Sequence, residues 1–264
     1  MNNTGDAAQY HLASAYISQK KLQRMVIDNI AQLDAHYKPT VTLPLSPKMG
    51  TPQMNPADPK TIGVYTGAFH PLTFAHLAVA EAALQTGLVE QLLLSMSRTT
   101  LHKVQLPAQE QALHLLMLAA TAQRDVRMRV ALFNCGLYKE QARAVRAAFP
   151  QVEDVFFIIG FDKALQILDP AYYADRDTEL QELFGLAQFL VCPRMGYGKA
   201  DLAELFSRPE NIAWKARAHY IDLSEKYADI SSTMVRTLAE QHKDVSEFVP
   251  PEQLAMWKYQ LRLA

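Results

Sequence analysis

From residue 61 onward, short apolar runs rich in β-formers alternate with segments of helical spacing, and this alternation constrains the fold most. The runs are Thr61-Ile62-Gly63-Val64-Tyr65-Thr66, Leu92-Leu93-Leu94, Val126 to Phe133, Val155-Phe156-Phe157-Ile158-Ile159, Phe189-Leu190-Val191 and His219-Tyr220-Ile221. Helical patterns begin near His76, cover 108–123 and 138–148, and form a final pair after Asp229 and Pro250. Runs that are apolar at consecutive positions need cover on both faces, which parallel strands receive from crossover helices. The expected architecture is therefore a doubly wound, mostly parallel α/β sheet, which binds ligands beyond the carboxyl ends of its strands.

Residues 1–60 have a different texture. Leu22, Met25, Val26, Ile30 and Leu33 follow helical spacing, so an amphipathic helix is expected over roughly residues 15–36. Its apolar stripe suits either the chain's own core or a second copy in a homo-oligomer, and the sequence leaves both open. Pro39, Pro44, Pro47, Pro52, Pro56 and Pro59 follow. Repeated prolines fix φ and remove backbone donors, so an extended connector is expected there rather than a strand of the central sheet. The division expected is 1–60 as a helical extension with its connector and 61–264 as the main domain.

The chain of 264 residues is 49% hydrophobic, enough for one sizeable core. A formal net charge of −1 gives no broad attraction to a nucleic-acid polymer. Only Cys135 and Cys192 occur, far apart, which argues against a disulfide framework or a structural zinc site and fits a reducing cytoplasm. No apolar run approaches the ~20 residues that span a bilayer, and no secretory leader pattern opens the sequence, so no membrane association is expected. There is no G-x-x-x-x-G-K-[ST] loop, no G-x-G-x-x-G and no HExxH.

Two segments can carry chemistry. Gly67-Ala68-Phe69-His70-Pro71-Leu72-Thr73-Phe74-Ala75-His76 lies between the first strand and its helix. Gly67 permits close approach to the backbone, Pro71 fixes the turn, and Thr73 and His76 share one face of a helical turn. A helix start offers free amides and partial positive charge, which suits phosphate; the plainer reading is a turn whose histidine only caps or packs. The second segment is Asp229-Ile230-Ser231-Ser232-Thr233-Met234-Val235-Arg236. Its hydroxyls suit a helix cap and phosphate oxygens alike, and Arg236 projects a bidentate cation over the turn of Thr233; the plainer reading is a capped surface helix.

The first segment resembles the G-x-F-x-P-x-(H/T)-x-x-H signature of the HxGH nucleotidyltransferases, through Gly67, Phe69, Pro71, Thr73 and His76, with Ala75 where glycine is common. The I-S-S-T-x-x-R segment near the other end adds a likeness to nicotinamide/nicotinate mononucleotide adenylyltransferases, whose Rossmann-like fold this implies. Ile159-Gly160-Phe161-Asp162, Val191-Cys192-Pro193-Arg194 and Val249-Pro250 follow in the family's order. The resemblance spans roughly residues 61–260.

The resemblance implies transfer of an adenylyl group from ATP to a mononucleotide, with release of pyrophosphate and no covalent enzyme intermediate. By motif, His76 would contact the α-phosphate, supported by Thr73, while Gly67, Ala68 and Phe69 present backbone to phosphates and ribose. Lys103 would reach phosphate. Ser232, Thr233, Val235 and Arg236 would hold the outgoing pyrophosphate, and Gly160, Asp162 and Arg194 would line the nucleotide site. Mg²⁺ would arrive with ATP, with no dedicated protein metal site. Departures concentrate in the acceptor pocket, where Phe133 and Tyr173 stand for tryptophans of the family, and Ala228 lacks a side-chain amide found in some relatives. Two alternatives follow: a same-fold transferase with another phosphorylated acceptor, and a non-catalytic nucleotide- or partner-binding module.

Overall fold

The computed structural model describes residues 20–34, 36–45, 59–99, 106–227 and 229–254. Seven strands form one sheet in the order β1-β4-β3-β2-β5-β6-β7. These are β1 (Val41–Thr42), β2 (Thr61–Thr66), β3 (Gln91–Ser97), β4 (Met128–Phe133), β5 (Asp154–Gly160), β6 (Gln188–Cys192) and β7 (Ala218–Tyr220). All neighbours pair in parallel except β1, which runs antiparallel to β4. The chain winds outward through β2, β3 and β4, then crosses back to lay β5 on the other side of β2. The direction of winding reverses between β2 and β5, and a crevice opens there at the carboxyl ends.

The helices are α1 (20–34), α2 (Phe74–Gln85), α3 (Ala108–Ala122), α4 (Tyr138–Ala148), α5 (Phe161–Leu168), α6 (Arg176–Leu186), α7 (Lys199–Leu205) and α8 (Ser232–Glu240). Alternate residues of each strand feed two cores on opposite faces. Val64, Phe133, Phe157, Ile159 and Phe189 pack toward α4 to α7, whereas Leu92, Leu94, Phe156, Ile158 and Leu190 pack toward α1, α2 and α3. That division is why the strand runs carry no polar alternation. Val235, Val245 and Val249 make a small third core beneath α8.

Leu22 stays exposed and residues 15–19 of the expected helix lie outside the described residues, whereas the later part of the N-terminal stripe docks on the chain's own core. Val26, Ile30 and Leu33 are fully buried in it, each contributing roughly 1.5–3 kcal/mol at most. Asp34, at the end of α1, takes both Nε and Nη2 of Arg98 at 2.8 Å. The buried guanidinium also donates to Leu106 O and Gln111 Oε1, so its charge is compensated rather than stranded. The connector differs from expectation at its start. Val41–Thr42 joins the sheet opposite Phe133 and Leu132, and the Asn134 side chain ties Thr40 N, His36 O and Lys38 O to that edge. Prolines flanking an edge strand cost no ladder bonds, which reconciles the composition with the pairing. The connector's remaining prolines at 47, 52 and 56 lie outside the described residues. The segments α5, α6 and α7 form helices where the sequence suggested only strands on either side.

Truncating Ile30 to alanine tests whether α1 is part of the cooperative core. The expected loss is about 2–4 kcal/mol of unfolding free energy by urea denaturation; a change below about 0.5 kcal/mol, the range of ordinary surface substitutions, would contradict docking.

Candidate functional site

The turn after β2 is built around its aromatic residue. A Cβ on Gly67 would lie 3.0 Å from the Phe69 ring, so glycine is what lets the ring fold back over the strand end. Phe69 itself has φ 46°, a left-handed conformation costing of order 1–3 kcal/mol in a side-chain-bearing residue, and such strain gathers at ligand sites. Its buried ring meets Tyr65 edge-on at 5.3 Å and His76 at 5.4 Å. Ala68, the outermost residue of the turn, is exposed.

Thr73 caps α2, and His76 completes the cap. Thr73 N–H donates to His76 Nδ1 at 3.1 Å, and Thr73 Oγ1 lies 2.7 Å from the same nitrogen. An accepting Nδ1 places the proton of the neutral ring on Nε2. The neutral form is favoured: burial, and then the nearby Arg194 guanidinium, push the imidazole down to about 4. The capping and ligand-binding readings of this histidine therefore coexist, one per nitrogen.

The second segment folds onto the first. Ser231 caps α8 by accepting from Met234 N, the Ser232 hydroxyl donates to Pro71 O at 2.9 Å, and Arg236 Nη1 donates to His70 O at 2.6 Å. Arg236 Nη2 adds a bond to Thr233 Oγ1. Phe248 O accepts from Phe74 N at 2.9 Å, binding the chain after α8 to the start of α2. The turn at 67–73 thus carries His76 on one flank and the α8 N-terminus on the other. The first amides of α8 have no intrahelical acceptors, so that end is open to anionic oxygen. Val235 instead points its buried side chain into the small core, and its N–H bonds Ser231 O.

A cavity of about 200 Å³ lies at the switch point, with Tyr65, Thr66, Gly67, Phe69, His76, Tyr138, Gly160, Asp162, Arg194 and Ile230 among its lining residues. A Cβ on Gly160 would sit 2.5 Å from Asp162 Oδ1 and 2.9 Å from Arg194 Cδ, so a larger residue there would push both side chains from their present places. Arg194 Nε and Asp162 Oδ1 are 3.4 Å apart; both side chains are partly exposed, so the pair orients more than it stabilises. The hairpin Arg194–Tyr197, with Met195 and Gly196 at φ 56° and 82°, returns Tyr197 to stack on Phe161 at 4.6 Å. A larger, more open groove of about 750 Å³ lies between α5, α6 and α7. Its Arg176 is committed to Leu168 O, Asp177, Glu210 O and Asn211.

Gly67, Phe69, His76, Gly160, Asp162 and Arg194 come together in the cavity lining, whereas Ser232, Thr233 and Arg236 lie outside that lining, Ser232 and Arg236 being bonded to the carbonyls of the turn. Phe133 is placed elsewhere: it is fully buried between Val41 and the α4-side core, because the strand ladder continues through it. Tyr173 is likewise outside the cavity lining, with its hydroxyl donating to Ile167 O at 2.6 Å. Lys103 and Ala228 lie outside the described residues. Sequence reasoning passed over Tyr65, Tyr138, Lys163, Cys192 and Tyr227, which also line the cavity. The available signal was positional, since Tyr65 stands two before Gly67 and Tyr138 opens the helix after β4.

A parallel sheet with a phosphate-type turn and an arginine-bearing helix cap at its switch point defines a nucleotidyltransferase. Comparison with known proteins agrees. A cytidylyltransferase-like family model matches residues 64–238, and the chain belongs to that family. It is 23% identical over 187 residues to a probable nicotinate-nucleotide adenylyltransferase of Clostridium botulinum, covering 70% of this chain and 89% of that one. A Shewanella woodyi protein of the same description is 25% identical over 191 residues, covering 66% and 85%. The Plasmodium falciparum nicotinic acid mononucleotide adenylyltransferase shares the fold. Its complex with NaAD aligns with a TM-score of 0.57 at 18% identity, covering 76% of this chain and 97% of that one.

The site makes stability acid-sensitive. His76 and His114, the latter lowered to about 4 by burial and then by His70, stay neutral where an unfolded imidazole near 6.5 takes up a proton. Their contribution is present above pH 6.5 and is lost as pH falls toward about 4. Urea midpoints should decline across this window, and His114→Asn should flatten the decline between pH 6.5 and 5. An unchanged slope in that variant would contradict a buried neutral imidazole.

Proposed function

We propose that this chain transfers the adenylyl group of ATP to a pyridine mononucleotide, nicotinate mononucleotide in the first instance. The carrying observation is the pair of bonds from Ser232 and Arg236 to the Pro71 and His70 carbonyls, which brings a cationic helix cap against the turn bearing His76. The acceptor assignment draws on the named activity of the Clostridium and Shewanella relatives. Residues 61–264 serve as the catalytic unit, braced by α1 and β1 of the extension. Free, buried Cys135 and Cys192 suit a reducing cytoplasm.

In the reaction, a phosphate oxygen of the acceptor attacks the α-phosphorus of ATP. The new P–O–P linkage forms as the bond to the β-phosphate breaks, and pyrophosphate leaves with that electron pair. The nucleophile is already an anion, so no side chain has to remove its proton. The protein's work is positioning and charge stabilisation. Neutral His76 would donate from Nε2 to a non-bridging α-phosphate oxygen, while Thr73 holds the ring in place. Arg236, Ser232, Thr233 and the amides opening α8 would take the β- and γ-phosphates, with Lys103 as a further phosphate contact. Gly67, Ala68 and Phe69 would line the path of the triphosphate. Asp162 suits a ribose diol, and Gly160 and Arg194 set its position.

Among the described residues, no three His, Cys, Asp or Glu side chains converge to hold a metal. A Mg²⁺ partner would ride on the phosphate oxygens, where it neutralises their charge.

Pyrophosphate release should be followed with ATP·Mg²⁺ and a panel of acceptors comprising nicotinate mononucleotide, nicotinamide mononucleotide and phosphopantetheine. Turnover on the pyridine nucleotides alone supports the proposal; turnover on phosphopantetheine alone, or ATP binding with no product, overturns it. His76→Ala should reduce kcat by about 10²–10³, and unchanged turnover would remove His76 from the mechanism. Arg236→Ala should raise the KM for ATP about tenfold or more, while the acceptor KM moves less; equal increases would contradict a triphosphate contact.

A further inference from the structure

Tyr65 is, with Tyr138 and Tyr227, one of the tyrosines of the cavity lining that the reading above leaves without work, and it is the one whose ring meets both Phe69 and His76. It occupies the penultimate position of β2, where the ladder pairs it with Leu94 of β3 and fixes its backbone. Phe69 meets its ring edge-on at 5.3 Å, and the His76 ring lies 6.3 Å away on the same side. Both contacts come from the turn that the adenylyl-transfer reading assigns to phosphate. The ring cannot swing far without displacing Phe69, which is itself held in a strained conformation.

The side chain lines the switch-point cavity together with His76, Asp162 and Arg194. Its hydroxyl makes no hydrogen bond to any described residue. Thr66 is paired with Ser95 and Gln141, and Ser97 with Thr99 O and Cys135 O, whereas the Tyr138 hydroxyl, in the lining of the same cavity, also has no partner among the described residues. The Tyr65 side chain is half-buried, and a hydroxyl in a polar cavity without a protein partner is positioned to bond what enters it. Burial raises the phenol well above its ordinary range, a direction that the Cys192 thiol reinforces and Arg194 opposes. At neutral pH it is an O–H donor, suited to an anionic oxygen.

We propose that the Tyr65 hydroxyl donates a hydrogen bond to the reacting phosphate, a second contact beside His76 Nε2. The inference rests on the adenylyl-transfer reading and assigns a substrate contact that its motifs do not contain. As the α-phosphorus is attacked, its non-bridging oxygens carry the charge of the transition state, so a neutral donor fixed against one of them strengthens its bond there. Because Tyr65 and His76 would bind one phosphate group, their effects should be coupled rather than independent.

Tyr65→Phe removes one oxygen and keeps the ring packing, so the variant tests the contact without opening a cavity. The expected result is a kcat lowered about 10- to 100-fold, with the KM values for ATP and acceptor within about threefold. The thermal midpoint should stay within about 2 °C, as a residue acting only in packing would not reproduce that pattern. Combined with His76→Asn, the total loss should fall short of the product of the two single losses. A kcat within twofold of the parent overturns the inference, as does a raised KM at unchanged kcat or full multiplicativity with His76→Asn. Parent turnover on a pyridine mononucleotide separates the two failures. If the parent turns over and Tyr65→Phe equals it, only this inference falls; if the parent forms no product, the adenylyl-transfer reading falls and this inference with it.

Discussion

The bond from the Arg236 guanidinium to the His70 carbonyl joins two stretches separated by 166 residues, and the site depends on it. A charged donor on a neutral carbonyl is stronger than an ordinary amide bond, but its larger effect is geometric. It sets α8 against the turn after β2, with the Ser232 hydroxyl on Pro71 O as a second point of attachment. Phe248 O, capping the first amide of α2, closes the same unit from the far side. Two helix N-termini and one glycine turn are thereby held as one surface. Neither segment alone would be more than a capped helix.

His76, in the first turn of α2, gives Nδ1 to the helix cap and leaves Nε2 for the proposed chemistry. Nδ1 completes the cap of α2 with Thr73, so the ring is oriented before any ligand arrives. Orientation fixed in advance is what lets a donor act on developing charge without reorganising. Burial keeps the ring neutral, so in the proposed reaction it would supply a directed proton rather than a net charge, with the cationic charge left to Arg236. Strain at Phe69 and the glycines at 67 and 160 follow from the same demand, that backbone and side chains approach one small volume closely.

The sheet was legible because each central strand is apolar at consecutive positions, a pattern that surface strands do not produce. Helices α2, α3, α4 and α8 carried their own signals in periodicity or caps. Helices α5 to α7 were less visible: α5 begins directly at the end of β5, and the α6 sequence opens with Asp175 and Arg176 rather than an apolar stripe. In the site, residues in tight local motifs were readable, since spacing alone puts Thr73 beside His76. Tyr65 and Tyr138 were not, because tyrosine at a strand end reads equally well as core. Phe133 shows the converse. Its place after the third predicted strand suggested a stacking ring, but the edge pairing of Val41, set by the Asn134 clamp on the connector, encloses it. Such pairing between residues 92 apart leaves no mark in either segment.

The most direct measurement is the position of the triphosphate of a non-hydrolysable ATP analogue in a crystal of this protein. The account predicts that it lies in the switch-point cavity, with the α-phosphate at His76 Nε2 and the terminal phosphates at Arg236 and the first amides of α8. A triphosphate bound instead in the groove beside Arg176, or one touching only one of the two segments, would contradict it.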